Sequence, residues 1–195
     1  MNRSRNDCLW RQTILCERTV IQLKTKKQEE LVNEFLSKLR DEIRPVYHEI
    51  IRHLSEIGYN PYKQRSYIIF KCDLHNKQIA KTGIRINKDK APFFALRFSA
   101  CREYSQRFEE IVRSAVAEEN FSEAKCMDNR CDFCRGEADT HVYTYTFPDG
   151  VSRSHCGAVA LEIPDITADD MVEIKNLIIE EHEYLLKHEA GISAM

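Results

Sequence analysis

The sequence predicts an α+β fold, with N-terminal helices and a small antiparallel sheet followed by a cysteine-rich knuckle, a β-hairpin and a C-terminal helix. Three observations predict this fold. Apolar residues recur at helical spacing early in the chain, strand-like runs with polar turns follow, and a cysteine cluster precedes a second helical stripe. We divide the chain into an arm (1–25), an α+β body (26–122), a Cys-rich segment (123–165) and an amphipathic helix (166–190). The arm has no clean period and is expected to be partly disordered.

The body begins with a stripe of apolar residues at steps of three and four. Its members are Leu31, Phe35, Leu39, Ile43, Tyr47, Ile50, Leu54 and Ile57. Pro45 cannot continue the helical hydrogen-bond ladder, so we expect a break there, with Pro45 in the first turn of a second helix. Gly58, followed by Asn60 and Pro61, is typical of a helix end.

Three strand-like runs follow, at Tyr67–Lys71, Gln78–Asn87 and Pro92–Ala100. Polar turns separate them, which favours an antiparallel meander. A further amphipathic helix is predicted from the spacing of Tyr104, Phe108, Ile111, Val112 and Ala115. We expect the helices to cover one face of the sheet.

The other face of the predicted sheet carries three cations, because alternation along the strands places Lys81, Arg85 and Arg97 together near Phe93. Such a face offers a contact for phosphates or single-stranded nucleic acid through ion pairing and stacking. Three cations are few, however, and the chain has no aromatic RNA-binding signature or helix-turn-helix spacing. The favoured interpretation is a solvated face or one covered by the acidic C-terminal helix.

The near-neutral net charge of −2 hides a strong division of charge. Residues 1–115 carry a balance of +9, whereas residues 116–195 carry −11. Such a division is typical either of an anion-binding surface or of two parts of one chain that attract each other. We favour the second interpretation and expect the acidic part to be docked on the basic body.

Half of the eight cysteines fall within 31 residues, in the order Cys126-x4-Cys131-x2-Cys134-x21-Cys156. A Cys-x2-Cys turn lets two thiolates bind one metal ion, and Gly136 suits the tight turn of such a knuckle. The following residues predict a hairpin that turns at Pro148-Asp149-Gly150 and carries Cys156 back beside the knuckle. In this respect the segment resembles zinc-ribbon and related knuckle modules, although its distal half lacks a second Cys-x2-Cys pair.

Three interpretations of the cluster remain open. A structural Zn²⁺ bound by Cys126, Cys131, Cys134 and Cys156 is favoured. An iron–sulfur cluster is the alternative, since the order of spacings matches the plant-type ferredoxin pattern. Redox-active thiols are the third, but Cys131 does not follow a strand and open a helix as a thioredoxin-like motif requires. His141 and His155 are alternative ligands, for which surface imidazoles are the better interpretation.

The C-terminal helix is predicted to begin with a capping pair formed by Thr167 and Asp170. An apolar stripe then faces the core, and the glutamates are assigned to the polar part of the helix. The stripe comprises Met171, Ile174, Ile178 and Leu185, and the glutamates are Glu173, Glu180, Glu181 and Glu183. His182-Glu183 does not form a metalloprotease motif, because position 186 is Leu.

These patterns together favour a cytoplasmic, non-enzymatic binding or regulatory module with an unknown protein or small-molecule partner. No apolar run approaches the roughly 20 residues of a membrane span. Charges interrupt the N-terminal apolar pairs, so neither a signal peptide nor a disulfide framework is expected. No nucleotide-binding, hydrolase or deaminase motif assigns a catalytic residue. The alternatives are an enzyme or redox protein that uses the cysteine cluster as an iron–sulfur or open zinc site and, less favoured, a nucleic-acid-binding protein.

Overall fold

A computed structural model of the 195-residue chain describes residues 21–85, 91–97, 104–117, 142–146, 149–156 and 159–190. These residues contain four helices, a five-stranded antiparallel sheet and a two-stranded hairpin that does not pair with that sheet. The predicted α+β class is therefore confirmed. Most of the N-terminal arm and most of the Cys-rich segment, including Cys126, Cys131, Cys134 and His141, lie outside the described residues.

The long apolar stripe forms two helices and not one, as Pro45 predicts. Helix α1 spans Lys26–Ser37, and α2 spans Arg44–Glu56 with Pro45 in its first turn. The Thr25 hydroxyl caps α1 by accepting a hydrogen bond from the backbone N–H of Gln28 at 3.3 Å. Gly58, with φ +91°, follows α2 in the left-handed conformation that ends many helices.

The large sheet is formed by β1 (Tyr59–Gln64), β2 (Tyr67–Cys72), β3 (Gln78–Ile84), β4 (Pro92–Leu96) and β7 (Leu161–Ile163). The strands β2, β3 and β4 form the expected three-stranded meander, β1 extends it beside β2, and β7 adds to the free side of β4. The strands β1 and β7 were not predicted. β1 contains a proline, which an edge strand tolerates because its missing N–H needs no ladder partner, and β7 is too short to show a period.

One continuous hydrophobic core lies between the helices and one face of the sheet. The helix α3 (Gln106–Ala117) packs next to β7, and α4 (Met171–Ala190) packs next to α2. The largest fully buried side chains are Tyr59, Phe70, Phe94, Phe108, Ile50, Ile51, Leu54, Ile79, Leu96, Ile163 and Ile174. Removing each of these from water stabilises the fold by about 1.5–3 kcal/mol before the entropy of ordering is subtracted.

The start of α4 is held by one buried carboxylate, that of Asp170. Its Oδ2 accepts hydrogen bonds from the backbone N–H of Thr167 at 2.8 Å and from the Thr167 hydroxyl at 3.2 Å. The capping pair is thus present as predicted. Arg107 on α3 places its Nε 2.8 Å from Asp170 Oδ1, so the same side chain also joins α3 to α4.

Three arginines of the basic part pair with carboxylates of the acidic part among the described residues, in addition to the ion pair of reverse sense between Lys175 and Glu49. Arg85 pairs with Glu162, Arg97 with Glu181 and Arg107 with Asp170. In each pair the arginine lies before position 116 and the carboxylate after it. The two oppositely charged parts of the chain are therefore in contact through these pairs. No described helix has the length and apolar character that crossing a membrane requires.

The helices α2 and α4 are linked by Glu49 on α2, which accepts hydrogen bonds from Arg52 and from Lys175 on α4. These two cations, Arg52 first, lower the pKa of Glu49 to about 2. An unfolded glutamate titrates near 4.5. The contribution of Glu49 to stability is therefore fully present above about pH 4.5 and is lost as the pH falls toward 2.

We expect the substitution Lys175→Met to lower the free energy of unfolding at pH 7 by about 0.5–1 kcal/mol, because the pair is partly exposed. The deficit should shrink as the pH falls from about 5 to 2, because the carboxylate of Glu49 is neutralised. Urea unfolding across this range measures it. Lys187→Met, at an exposed position of the same helix, is the control; a deficit that is independent of pH would contradict the assignment.

Candidate functional site

The predicted hairpin is present and is formed by β5 (Val142–Thr146) and β6 (Ser152–Cys156). Gly150 has φ +85° in the connecting turn, where Asp149 Oδ1 accepts a hydrogen bond from the backbone N–H of Val151 at 3.0 Å. The antiparallel register places Cys156 directly opposite Val142. Cys156 is half-buried and is not in a disulfide.

This register positions Cys156 at the end of the hairpin where the cysteine-rich segment enters. Cys134 precedes Val142 by eight residues, a length of chain that spans about 28 Å when extended. Among the described residues no group of three or more His, Cys, Asp or Glu side chains is placed to hold a metal ion. Three of the four predicted ligands lie outside those residues, so the metal centre stays a prediction.

The three cations of the predicted basic face have different surroundings. Arg97 is only 5% exposed, and its Nε lies 3.0 Å from Glu181 Oε1 on α4. An external anion therefore has no access to it. Arg85 is partly exposed and pairs with Glu162 on β7. Lys81 is half-buried and lies opposite Ala95 in the register of β3 and β4.

The pairing of Arg97 and Glu181 corrects the assignment of Glu181 to the exposed polar part of α4, because Glu181 is 0% exposed. The two atoms at 3.0 Å form an ion pair without the alignment of a hydrogen bond, and Arg97 Nε and Nη2 have no hydrogen-bond acceptor among the described residues. Arg97 Nη1 makes a long contact of 3.5 Å to the carbonyl oxygen of Gln78. Within the described part of the chain, the guanidinium is thus held mainly by charge attraction to Glu181.

Next to this pair lies a group of three aromatic polar side chains that the sequence did not predict, of which Tyr59 and His75 are buried and His182 is half-buried. The hydroxyl of Tyr59 is 3.4 Å from His75 Nε2 and 3.2 Å from His182 Nδ1. His75 Nδ1 accepts from the backbone N–H of Lys77 at 3.1 Å, so its proton is assigned to Nε2. Tyr59 then accepts from His75 and donates to His182, which gives a directed chain between β1, the β2–β3 turn and α4.

The surroundings of Tyr59 and His182 favour the neutral form of each side chain. Burial raises the pKa of Tyr59, and the nearby Cys72 and Glu181 add to the rise. Burial also lowers the pKa of His182, with a smaller opposing contribution from Glu183. Tyr59 therefore keeps its proton and His182 favours the imidazole form, so the arrangement orients and anchors α4.

Comparisons with known proteins add no information about the role of these residues. No protein-family model matches the chain, and searches of curated proteins and of solved structures gave no significant match.

We expect Glu181→Leu to lower the free energy of unfolding by about 3–5 kcal/mol, because it leaves the Arg97 guanidinium buried without a counter-charge. Arg97→Met should have a cost of similar size. The double variant should recover much of the loss, because two apolar side chains remove both desolvated charges. Urea unfolding of the four proteins measures the coupling. Glu180→Leu, at the exposed neighbouring position, is the control; costs that simply add in the double variant would contradict the pairing.

Proposed function

We propose that this chain is a zinc-binding protein of the reducing cytoplasm, which acts as a binding or regulatory module and has no catalytic role. Its metal centre comprises the thiolates of Cys126, Cys131, Cys134 and Cys156. The observation that carries the proposal is the register of the hairpin, which returns Cys156 to the start of β5, eight residues after the last of the three other cysteines.

Coordination chemistry supports a structural role for this metal. Four thiolates complete the tetrahedral shell of Zn²⁺ and leave no position for water or a substrate. Such a closed site stabilises the segment that supplies its ligands, because the ligands are brought together only in the folded state. The metal would therefore organise the residues from about position 126 to 156.

The proposed site is connected to the body by a short stretch of chain. Only four residues separate Cys156 from β7, and β7 is paired with β4 in the main sheet. After β7 the chain continues directly into the cap of α4. A metal that fixes Cys156 thus restrains the strand and the helix that close the core, so zinc binding and the stability of the whole fold are expected to be linked.

We expect Cys131→Ser to reduce bound zinc from about one ion per chain to well below one, and to destabilise the protein by about 2 kcal/mol or more. For a chain of this length such a loss lowers Tm by roughly 4–8 °C. Metal analysis and thermal unfolding measure the two effects. Cys16→Ser is the matched control, because Cys16 is outside the cluster in the sequence.

The colour and the metal content of protein purified without oxygen also distinguish a zinc site from an iron–sulfur cluster. A colourless protein with zinc supports the proposal, whereas visible absorbance with iron and sulfide replaces it by the iron–sulfur alternative. Unchanged metal content and Tm in Cys131→Ser would show that the cysteine cluster is not a metal site. Zinc that exchanges its bound water in the native protein would indicate an open, catalytic type of site.

A further inference from the structure

A groove of about 580 Å³ lies between α1 and the turn that joins β1 to β2. Its volume is in the range typical of pockets for small organic molecules. The groove lies in the α+β body, at the edge of the sheet that carries β1, whereas Cys156 precedes the strand at the opposite edge. It is therefore separate from the proposed metal centre.

The floor of the groove is apolar. Phe35 of α1 and Ile68 of β2 are buried beneath it, and Leu31 and Ile84 line it as half-buried side chains. A bound molecule would therefore contact aliphatic and aromatic carbon atoms of α1 on one side and aliphatic carbon atoms of the sheet on the other. Burial of an apolar body of several methylene groups on this floor would supply most of the affinity.

The rim of the groove is positively charged. It carries the cations Lys38, Lys63, Arg65 and Arg85 and one carboxylate, Glu34. The Lys38 Nζ donates to Glu34 Oε1 at 2.6 Å, and Arg85 is paired with Glu162. Among the described residues neither Lys63 nor Arg65 forms an ion pair. Two exposed cations therefore line the groove beside its apolar floor.

The backbone of Arg65 adds an independent observation. Arg65 and Ser66 form the two-residue turn between Gln64 and Tyr67, and Arg65 has φ +53°. Positive φ at this position of a hairpin turn usually belongs to Gly, Asn or Asp, because a larger side chain is strained there. The chain holds an arginine in a place where glycine would be more stable, and the side chain lines the groove.

We propose that this groove binds a small amphiphilic organic anion, such as a medium-chain carboxylate. The apolar part lies on the floor formed by Phe35 and Ile68, and the carboxylate lies between Lys63 and Arg65. The planar guanidinium suits a carboxylate because it can donate two parallel hydrogen bonds to the two oxygens. The proposal is independent of the zinc function, since no groove residue belongs to the cysteine cluster.

Titration calorimetry with decanoate, at concentrations below micelle formation, tests the proposal with the full-length protein. We expect saturable binding of one decanoate per chain, weaker binding of butyrate and of decanol, and a loss of affinity as salt is raised. Lys63→Gln should weaken decanoate binding about tenfold, in line with the loss of one charge-assisted contact. Lys27→Gln, at an exposed position of α1 outside the groove, should leave it unchanged.

The substitution Arg65→Gly distinguishes an effect on decanoate binding from an effect on folding stability. The substitution relieves the strained turn, so Tm should stay the same or rise, while decanoate binding weakens by about tenfold or more. Unchanged affinity in Arg65→Gly and Lys63→Gln would overturn the assignment of the anion site. Equal binding of decanol and decanoate would overturn the requirement for an anion, and the absence of saturable decanoate binding would overturn the proposal as a whole.

Discussion

The buried ion pair between Arg97 and Glu181 is the constraint that fixes how α4 is attached to the sheet. Both side chains are removed from water, and their opposite charges compensate each other in the core. Glu181 and its neighbour His182 approach the sheet together, and His182 contacts Tyr59 on β1. The position of α4 along its axis is thereby set by polar contacts, while Ile174 and Ile178 supply apolar burial. The apolar contacts alone would tolerate a shift of the helix more easily than the ion pair does.

This attachment also explains why the division of charge along the sequence is compatible with a compact fold. The acidic part of the chain supplies Glu162, Asp170 and Glu181 to three arginines of the basic part. The pairs differ in character, because the Arg97 pair is desolvated whereas Arg85 and Glu162 are each about two-fifths exposed. Surface pairs contribute little, so the specificity of docking resides mainly in the buried pair and in the cap at Asp170.

Local patterns in the sequence predicted the helices, the meander and the hairpin, because spacing and turn residues act over a few positions. They did not predict β1, where Pro61 is typical of a helix end and is accommodated only because the strand lies at an edge. The burial of Glu181 depends on Arg97, which is distant in sequence. The one local hint was its position between Ile178 and Leu185, within the apolar stripe of α4. Of the proposed metal ligands, the structure describes Cys156 alone.

Arg85 connects the two regions to which we assign binding. It lines the groove on β3, and its guanidinium pairs with Glu162 on β7, the strand that follows Cys156 after four residues. The proposed carboxylate lies between Lys63 and Arg65, so Arg85 adds positive potential at the rim of the groove while it stays paired with Glu162. The negative charge of Glu162 offsets part of that potential, because like charges near one cation repel each other. The groove and the cysteine segment are thus separable by mutation at Lys63 or Arg65, whereas a change at Arg85 acts on both regions.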